Sequence, residues 1–477
     1  MIGYLILATF LLFIAVIAVR TVRFTPKPQP EVSDETFPFN RDAAVDALAQ
    51  LVRCKTVSYN DHSLEDDGEF EKLISLLPTL YPRVFEVCSM DRLPDRGLLV
   101  RWPGKEAGDP AVLMAHYDVV PVNEDNWEKP PFAGIIEDGI LWGRGTLDTK
   151  VTFNGIFSAA NYLIGQGFQP EKDIYFAFSG GEEVNGKGAP NIVHYFLDHQ
   201  IQPAIVVDEG GAVVENVFPG VKLPCGLIGI AEKGMMNAQY RAVSAGGHAS
   251  APKPHTPVGV LSAACKRVED HPFKAHIEGP AAQMFDTLGR HSTLLYRIIF
   301  ANMWCFGWVI DLLGRTSGGE MNALVRTTVA FTQMEGSSAR NVIPPEAKMV
   351  SNMRLNPADS VASALEYLKK TVNNPNVEIT ALEFFEPSPV SETDCPAWNK
   401  VASAVAETWR GCIVSPYLMV QCSDSRHYGR LSNHVYRFSA MDLTAEERGT
   451  IHGNNERIRL DTVCKAVEFY IRLMKKC

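Results

Sequence analysis

The stretch Ala111-Val112-Leu113-Met114-Ala115-His116-Tyr117-Asp118 decides the fold. A short apolar run leads directly into a histidine and, two residues later, an aspartate. Two other runs end in the same way. Asp173-Ile174-Tyr175-Phe176-Ala177-Phe178 leads to Gly180-Gly181-Glu182-Glu183, and Ala204-Ile205-Val206-Val207 leads to Asp208-Glu209-Gly210. Runs this short and apolar suit strands. Between them, Thr152 to Gly165 and Asn191 to His199 carry helical patterns, as Arg41 to Arg53 does before them. Strands alternating with helices predict an α/β sheet. In such sheets the site lies beyond the carboxyl ends of the strands, which is where these acidic and histidine residues fall.

Two further segments complete the set: Gly143-Arg144-Gly145-Thr146-Leu147-Asp148-Thr149-Lys150 and Ile451-His452-Gly453. Histidines with carboxylates form the ligand set that zinc prefers. A two-metal site needs one shared ligand, and a carboxylate can bridge ions about 3.5–4 Å apart. Asp148 is the expected bridge. His116 and Asp208 are expected to complete one metal, and Glu183 and His452 the other. Asp118 would hold the His116 imidazole from behind. Glu182 is assigned as general base, then as the acid that protonates the leaving amine. Singly, each fragment is weak: most Glu-Glu pairs are solvated surface residues, and Gly-Arg-Gly is also a turn signal. Their order and their places at strand ends give the set its weight.

After Glu232-Lys233-Gly234 the texture changes. Met235 to Val243, Asn322 to Thr332 and Ala347 to Arg354 alternate like strands. Residues 233–356 are therefore expected to form an inserted α+β lid, dividing a catalytic domain into 38–232 and 357–477. Within the insert, Leu294 to Leu313 (LLYRIIFANMWCFGWVIDLL) is unusually apolar. Arg297 and Asp311 argue against a second membrane span. A buried helix pair, an apolar substrate wall and a membrane-facing patch all remain open for it.

Composition is ordinary for a globular protein, with 46% hydrophobic and 21% charged residues in 477. The net charge of −10 and the lack of a basic run exclude a nucleic-acid partner on electrostatic grounds. Ile2 to Val19 is 18 residues without a charge, near the roughly 17–25 residues that span a bilayer. Residues 1–22 are read as a single-pass anchor and 23–37, rich in Pro and acidic residues, as a linker lifting the enzyme off the membrane. The alternative is a cleaved signal peptide, but no basic residue precedes the apolar run and no clear small-residue cleavage site follows it. Arg20, Arg23 and Lys27 follow the span, which favours a cytoplasmic catalytic domain. The ten cysteines lack paired spacing and read as buried hydrophobes in a reducing compartment.

These segments resemble the co-catalytic zinc metallopeptidases of the aminoacylase, carboxypeptidase S and carboxypeptidase G group. Acetylornithine deacetylase and succinyl-diaminopimelate desuccinylase belong to the same group. The resemblance rests on Met114 to Pro121, Trp142 to Lys150, Glu182-Glu183, Asp208 and His452. It implies a mixed sheet flanked by helices, an inserted lid that also dimerises, and two Zn2+ per chain, with Co2+ or Mn2+ as substitutes. It further implies that His248, in Gly246-Gly247-His248-Ala249-Ser250, polarises the substrate carbonyl, in dimers from the partner subunit. From spacing alone His248 is equally a turn residue. Asn341 and Arg354 resemble the lid residues that bind the substrate carboxylate, a task suited to guanidinium. The anchor, the apolar insert and Cys422 to Tyr428 resemble carboxypeptidase S and its relative acting on N-fatty-acyl amino acids, with Asp424 lining the pocket. The implied substrates are small peptides or N-acyl amino acids bearing a free carboxylate. A narrow biosynthetic deacetylase or desuccinylase is the rival enzyme, and an anchor argues against it. A catalytically inactive binding protein is the rival outside enzymes, and an intact Glu182 argues against that.

Overall fold

The computed structural model describes residues 1–30, 32–216 and 218–477, so the 23–37 segment is described except at Glu31. Its centre is an eight-stranded sheet. Across it lie Ser89–Leu93, Gly97–Trp102, Ile174–Ser179, Ala111–His116, Ile205–Val214, Val435–Leu443, Cys225–Glu232 and Ile413–Met419. The mixed α/β sheet expected from the sequence is present. Ala111–His116 runs parallel to both Ile174–Ser179 and Ile205–Val214. Every residue of the first two of these strands is buried, as required of a parallel sheet covered on both faces.

The Lys150–Gly165 and Leu460–Met474 helices pack together on one side of the sheet. Tyr81, Phe153, Phe157, Phe176 and Phe178 fill the space beneath them. The Lys150 ammonium is wholly buried, donating to the carbonyls of Leu51 and Cys54 at 3.0 and 2.7 Å. This ties the start of the helix that follows Asp148 to the first helix of the body, Arg41–Val52. Burial lowers the Lys150 pKa to about 8.

A second, antiparallel sheet has the order Thr328–Glu335, Glu346–Leu355, Gly234–Val243, Glu378–Phe385. Burial alternates strictly along its middle strands, so one face meets the helices Pro257–Asp270 and Val361–Val372 and the other does not. Three expectations need correction here. The lid continues past residue 356, because Val361–Val372 and Glu378–Phe385 are part of it. The strand expected at 322–332 begins only at Thr328, because Gly319–Val325 is helical. The third concerns Gly279 to Val325, which lies inside the insert by sequence. Its Gly279–Gly289 helix nevertheless packs against the sheet strand Ile413–Met419, with the Phe285 and Phe300 rings tilted against Phe218.

The 23–37 segment does not act as a free spacer. Lys27 pairs with Asp286 at 2.7 Å, Gln29 accepts from the Val414 N–H at 3.0 Å, and Asp34 pairs with Arg410 at 2.5 Å. The extended chain is strapped to the catalytic body, so the Ile2–Arg23 helix is held close to it. That helix is long and apolar enough to cross a membrane. All ten cysteines are free.

Candidate metal centre

The ligand candidates converge from five places in the chain. His116 is the last residue of its strand. Its Nδ1 faces back to the Asp118 carbonyl at 3.0 Å and the Asp118 carboxylate at 3.4 Å. This leaves Nε2 pointing outward, 3.0 Å from Asp148 Oδ1 and 3.4 Å from Glu209 Oε1. From the other side His452 Nε2 approaches Asp148 Oδ2 at 3.0 Å and Glu183 Oε2 at 3.1 Å. Asp148 thus presents one oxygen to each histidine, the arrangement a bridging carboxylate requires.

Asp118 does more than support the imidazole. Its two carboxylate oxygens accept from the backbone N–H groups of Glu182 and Glu183 at 3.1 and 3.2 Å, and from Ser58 Oγ at 2.5 Å. It therefore fixes the turn that carries both glutamates relative to His116. Glu182 groups with His116 and Glu209, with ligand atoms within 4.8 Å of one another.

Asp208 is a correction. Residues 208 and 209 are neighbours on one strand, so their side chains leave opposite faces. Glu209 turns into the cluster. Asp208 turns away, accepting from the Ser425 N–H at 2.9 Å. Asp424 is also corrected: it is 4% exposed, accepts a short hydrogen bond from Ser179 Oγ, and does not line the cleft. Arg354 sits just behind the cleft lining, with Nη1 3.1 Å from Sγ of Cys422, which lines it. His248 and Asn341 do not enter this chain's own cluster. They meet on the exposed lid rim, where Gly247-His248 pairs with Val342-Ile343 and the Ala249 N–H donates to the Asn341 carbonyl at 2.9 Å.

Sequence reasoning missed Glu456. It is fully buried, and its carboxylate accepts from the N–H groups of Gly145, Leu147 and Asp148 at 3.1, 2.7 and 3.2 Å. Arg144 completes it with an ion pair at 2.6 Å. Gly145, at φ +88°, makes this tight loop possible: a Cβ there would lie 2.8 Å from Val119 Cγ1. Glu456 thus shapes the loop that presents Asp148. Glu456→Ala should cost about 3–5 kcal/mol, because it strands the buried Arg144 charge. Urea unfolding of the variant checks this.

The electrostatics test whether cations fit. Glu182, Glu183, Asp148 and Glu209 crowd one cleft, and burial pushes Glu182 well above the usual carboxylate range and Glu209 to about 8. Hydrogen bonds to Asp148 and Glu183 raise His452 to about 10. Buried Glu183 Oε1 has no hydrogen-bond partner. A surplus of buried carboxylate, an orphaned oxygen and two outward-facing imidazole nitrogens fit divalent cations.

The cleft has a volume of about 620 Å3. Beyond the acidic cluster the lining mixes apolar Leu227, Met419, Met441 and Leu443 with polar Glu320, Gln421, Ser439 and Arg448.

The sequence pattern of peptidase family M20/M25/M40 matches residues 112–476. The chain is 33% identical over 474 residues to the probable carboxypeptidase S-like 2 of Dictyostelium discoideum, covering 96% of this chain and 91% of that one. It is also 33% identical over 494 residues to the N-fatty-acyl-amino acid synthase/hydrolase of Xenopus tropicalis, covering 99% and 95%. The fold resembles an M20 family metallo-carboxypeptidase from Sulfolobus solfataricus, with TM-score 0.65 and 17% identity over 91% of this chain and 98% of that one. With the cluster, the cleft and these likenesses in hand, the chain belongs to peptidase family M20/M25/M40, a family of metallopeptidases.

Proposed function

We propose that this enzyme hydrolyses the amide bond of N-acyl amino acids or small peptides bearing a free carboxylate, with an apolar group on the acyl side. One observation carries the reading: Asp148 presents an oxygen to each of two histidines in a cleft that also holds Leu227, Met419, Met441 and Leu443. His116, Glu209 and Asp148 would hold one divalent ion, and Asp148, Glu183 and His452 the other, zinc being the metal this donor set favours. Bound there, the two ions would polarise the scissile carbonyl and make water more acidic.

The chain's own residues do the rest. Asp118 fixes the Glu182 backbone, so the Glu182 carboxylate stays beside the cluster. Glu182 takes a proton from the attacking water and returns it to the leaving amine nitrogen. Arg354, one residue behind the cleft lining, draws in the carboxylate of the substrate. Arg354→Ala should raise KM roughly 10–100-fold for free acids, the worth of a hydrogen bond to a charged group. Amidated substrates should be unaffected; an equal effect on both would remove this role.

The lid rim bears on oligomeric state. His248 is exposed in this chain, which supports a dimer in which it completes the partner's cleft. Mixing His248→Ala with Glu182→Ala protein should then restore part of the lost turnover. No recovery on mixing would place His248 outside the reaction. The Ile2–Arg23 helix is read as a membrane anchor, with Arg20, Arg23 and Lys27 on the cytoplasmic side.

A matched panel tests the substrate class: acetyl, hexanoyl and oleoyl amides of Leu and Phe, beside Gly-Leu and Leu-Leu. The apolar part of the lining, Leu227, Met419, Met441 and Leu443, predicts kcat/KM rising with acyl length. A preference for the dipeptides would make the enzyme a carboxypeptidase and leave these side chains to packing.

A further inference from the structure

The Leu294–Ala301 and Met303–Ser317 helices are apolar but not buried. Leu294, Leu295, Trp304, Trp308, Leu312 and Leu313 are all 45–68% exposed. Trp304, Trp308 and Leu312 are spaced four residues apart and share one face of the second helix. Of its two charged residues, Asp311 reaches inward and Arg315 is exposed near the end of the helix. Asp311 binds buried Arg326 at 2.5 Å and Arg315 at 3.0 Å. Of the three readings left open for this stretch, a wholly buried helix pair is ruled out: one face packs on the body, and the other is an apolar surface of the kind that marks an interaction site.

The position of this surface identifies what covers it. The Ile2–Arg23 helix leans on the same pair. Arg20 Nε donates to the Ala301 carbonyl at 3.1 Å, and wholly buried Asn302 donates to Thr21 Oγ1 at 3.1 Å. Further along, Phe13 meets Trp304 edge to face, with centroids 5.8 Å apart. Phe13 is seven residues from Arg20, so it lies about 10 Å deeper along the helix axis. If the helix spans a bilayer, Phe13 sits among acyl chains and Trp304 sits beside it. The strapped 23–37 segment prevents the body from drifting away.

The pair cannot cross the bilayer itself. Its helices have 8 and 15 residues and meet at 114°, whereas a hydrocarbon core is about 30 Å thick and a helix rises ~1.5 Å per residue. We infer that the 294–317 helix pair is a second membrane contact, dipping into one leaflet beside the anchor and seating the catalytic body on the lipid surface. Tryptophans suit this depth, since they collect at the membrane interface. The Gly319–Val325 helix follows at once and supplies Glu320 to the cleft wall, so the cleft opens beside the seated surface. The inference rests on the anchor reading but not on the substrate assignment.

The test uses the full chain in phosphatidylcholine nanodiscs doped with a phospholipid whose acyl chain carries a photoreactive diazirine. Adducts are mapped by mass spectrometry. Adducts are expected on both 2–23 and 294–317, including Trp304 and Trp308. In a Trp308→Ser/Leu312→Ser variant those on 294–317 should be lost, while those on 2–23 and the hydrolysis of a soluble dipeptide are unchanged. Adducts confined to 2–23 would overturn the inference. So would a dimer that persists in detergent and is lost in the double variant, because a second copy would then cover the face. Absence of adducts from both segments would overturn the anchor and the seat together.

Discussion

Glu182→Ala should lower kcat by about 10²–10⁴-fold, the usual contribution of a positioned general acid–base, while metal content stays near two per chain. The expectation follows from how the glutamate is held. Its backbone N–H is pinned by Asp118 Oδ1 at 3.1 Å, and its neighbour Glu183, not Glu182, meets His452. The pair therefore divides its work: Glu183 faces the far histidine, and Glu182 lines the cleft on the His116 side. Glu182 also falls within 4.8 Å of His116 and Glu209, so the rival role is that of a ligand. Metal analysis separates the two. Retention of both ions with turnover lost supports the acid–base role; loss of one ion with turnover makes Glu182 a ligand.

Substituting the two acids in the middle of the Ile205–Val214 strand should have opposite outcomes. Glu209→Ala should weaken metal binding by more than about 100-fold, since even indirect partners of metal ligands are worth about 10–100-fold. Activity should fall with it. Asp208→Asn should keep two metals, because an amide oxygen can still accept the Ser425 N–H now bound at 2.9 Å. The reverse pattern would return the ligand role to Asp208. Calorimetric zinc titration of both variants decides this.

The contrast shows what a sequence can convey. The segments His116 to Asp118, Glu182-Glu183, Asp148 and His452 were legible because each follows an apolar run or glycine loop, and the order of the segments survives folding. The choice between Asp208 and Glu209 was not. It depends on which face of the strand meets the cluster, and the apolar run before it is buried on both faces and carries no alternation to read. Glu456 left no local signal at all, since it acts on a loop more than 300 residues earlier. The lid's first strand was legible from its alternation, but its end was placed too early. The helix and strand after Leu355 look like the catalytic domain's own α/β texture, and only their pairing with Gly234–Val243 reveals the lid. The apolar insert was left open between a buried helix pair, a substrate wall and a membrane-facing patch, because composition alone does not show which of its faces the body covers.

The most direct measurement is the initial rate on N-oleoyl-phenylalanine and Gly-Leu before chelation, after chelation and after zinc is restored, beside the carboxyl-amidated forms of both. The geometry of Asp148 between His116 and His452 predicts hydrolysis of the free acids that is lost on chelation and recovered with zinc, with little turnover of the amides. A rate on the free acids that survives complete metal removal would contradict the account.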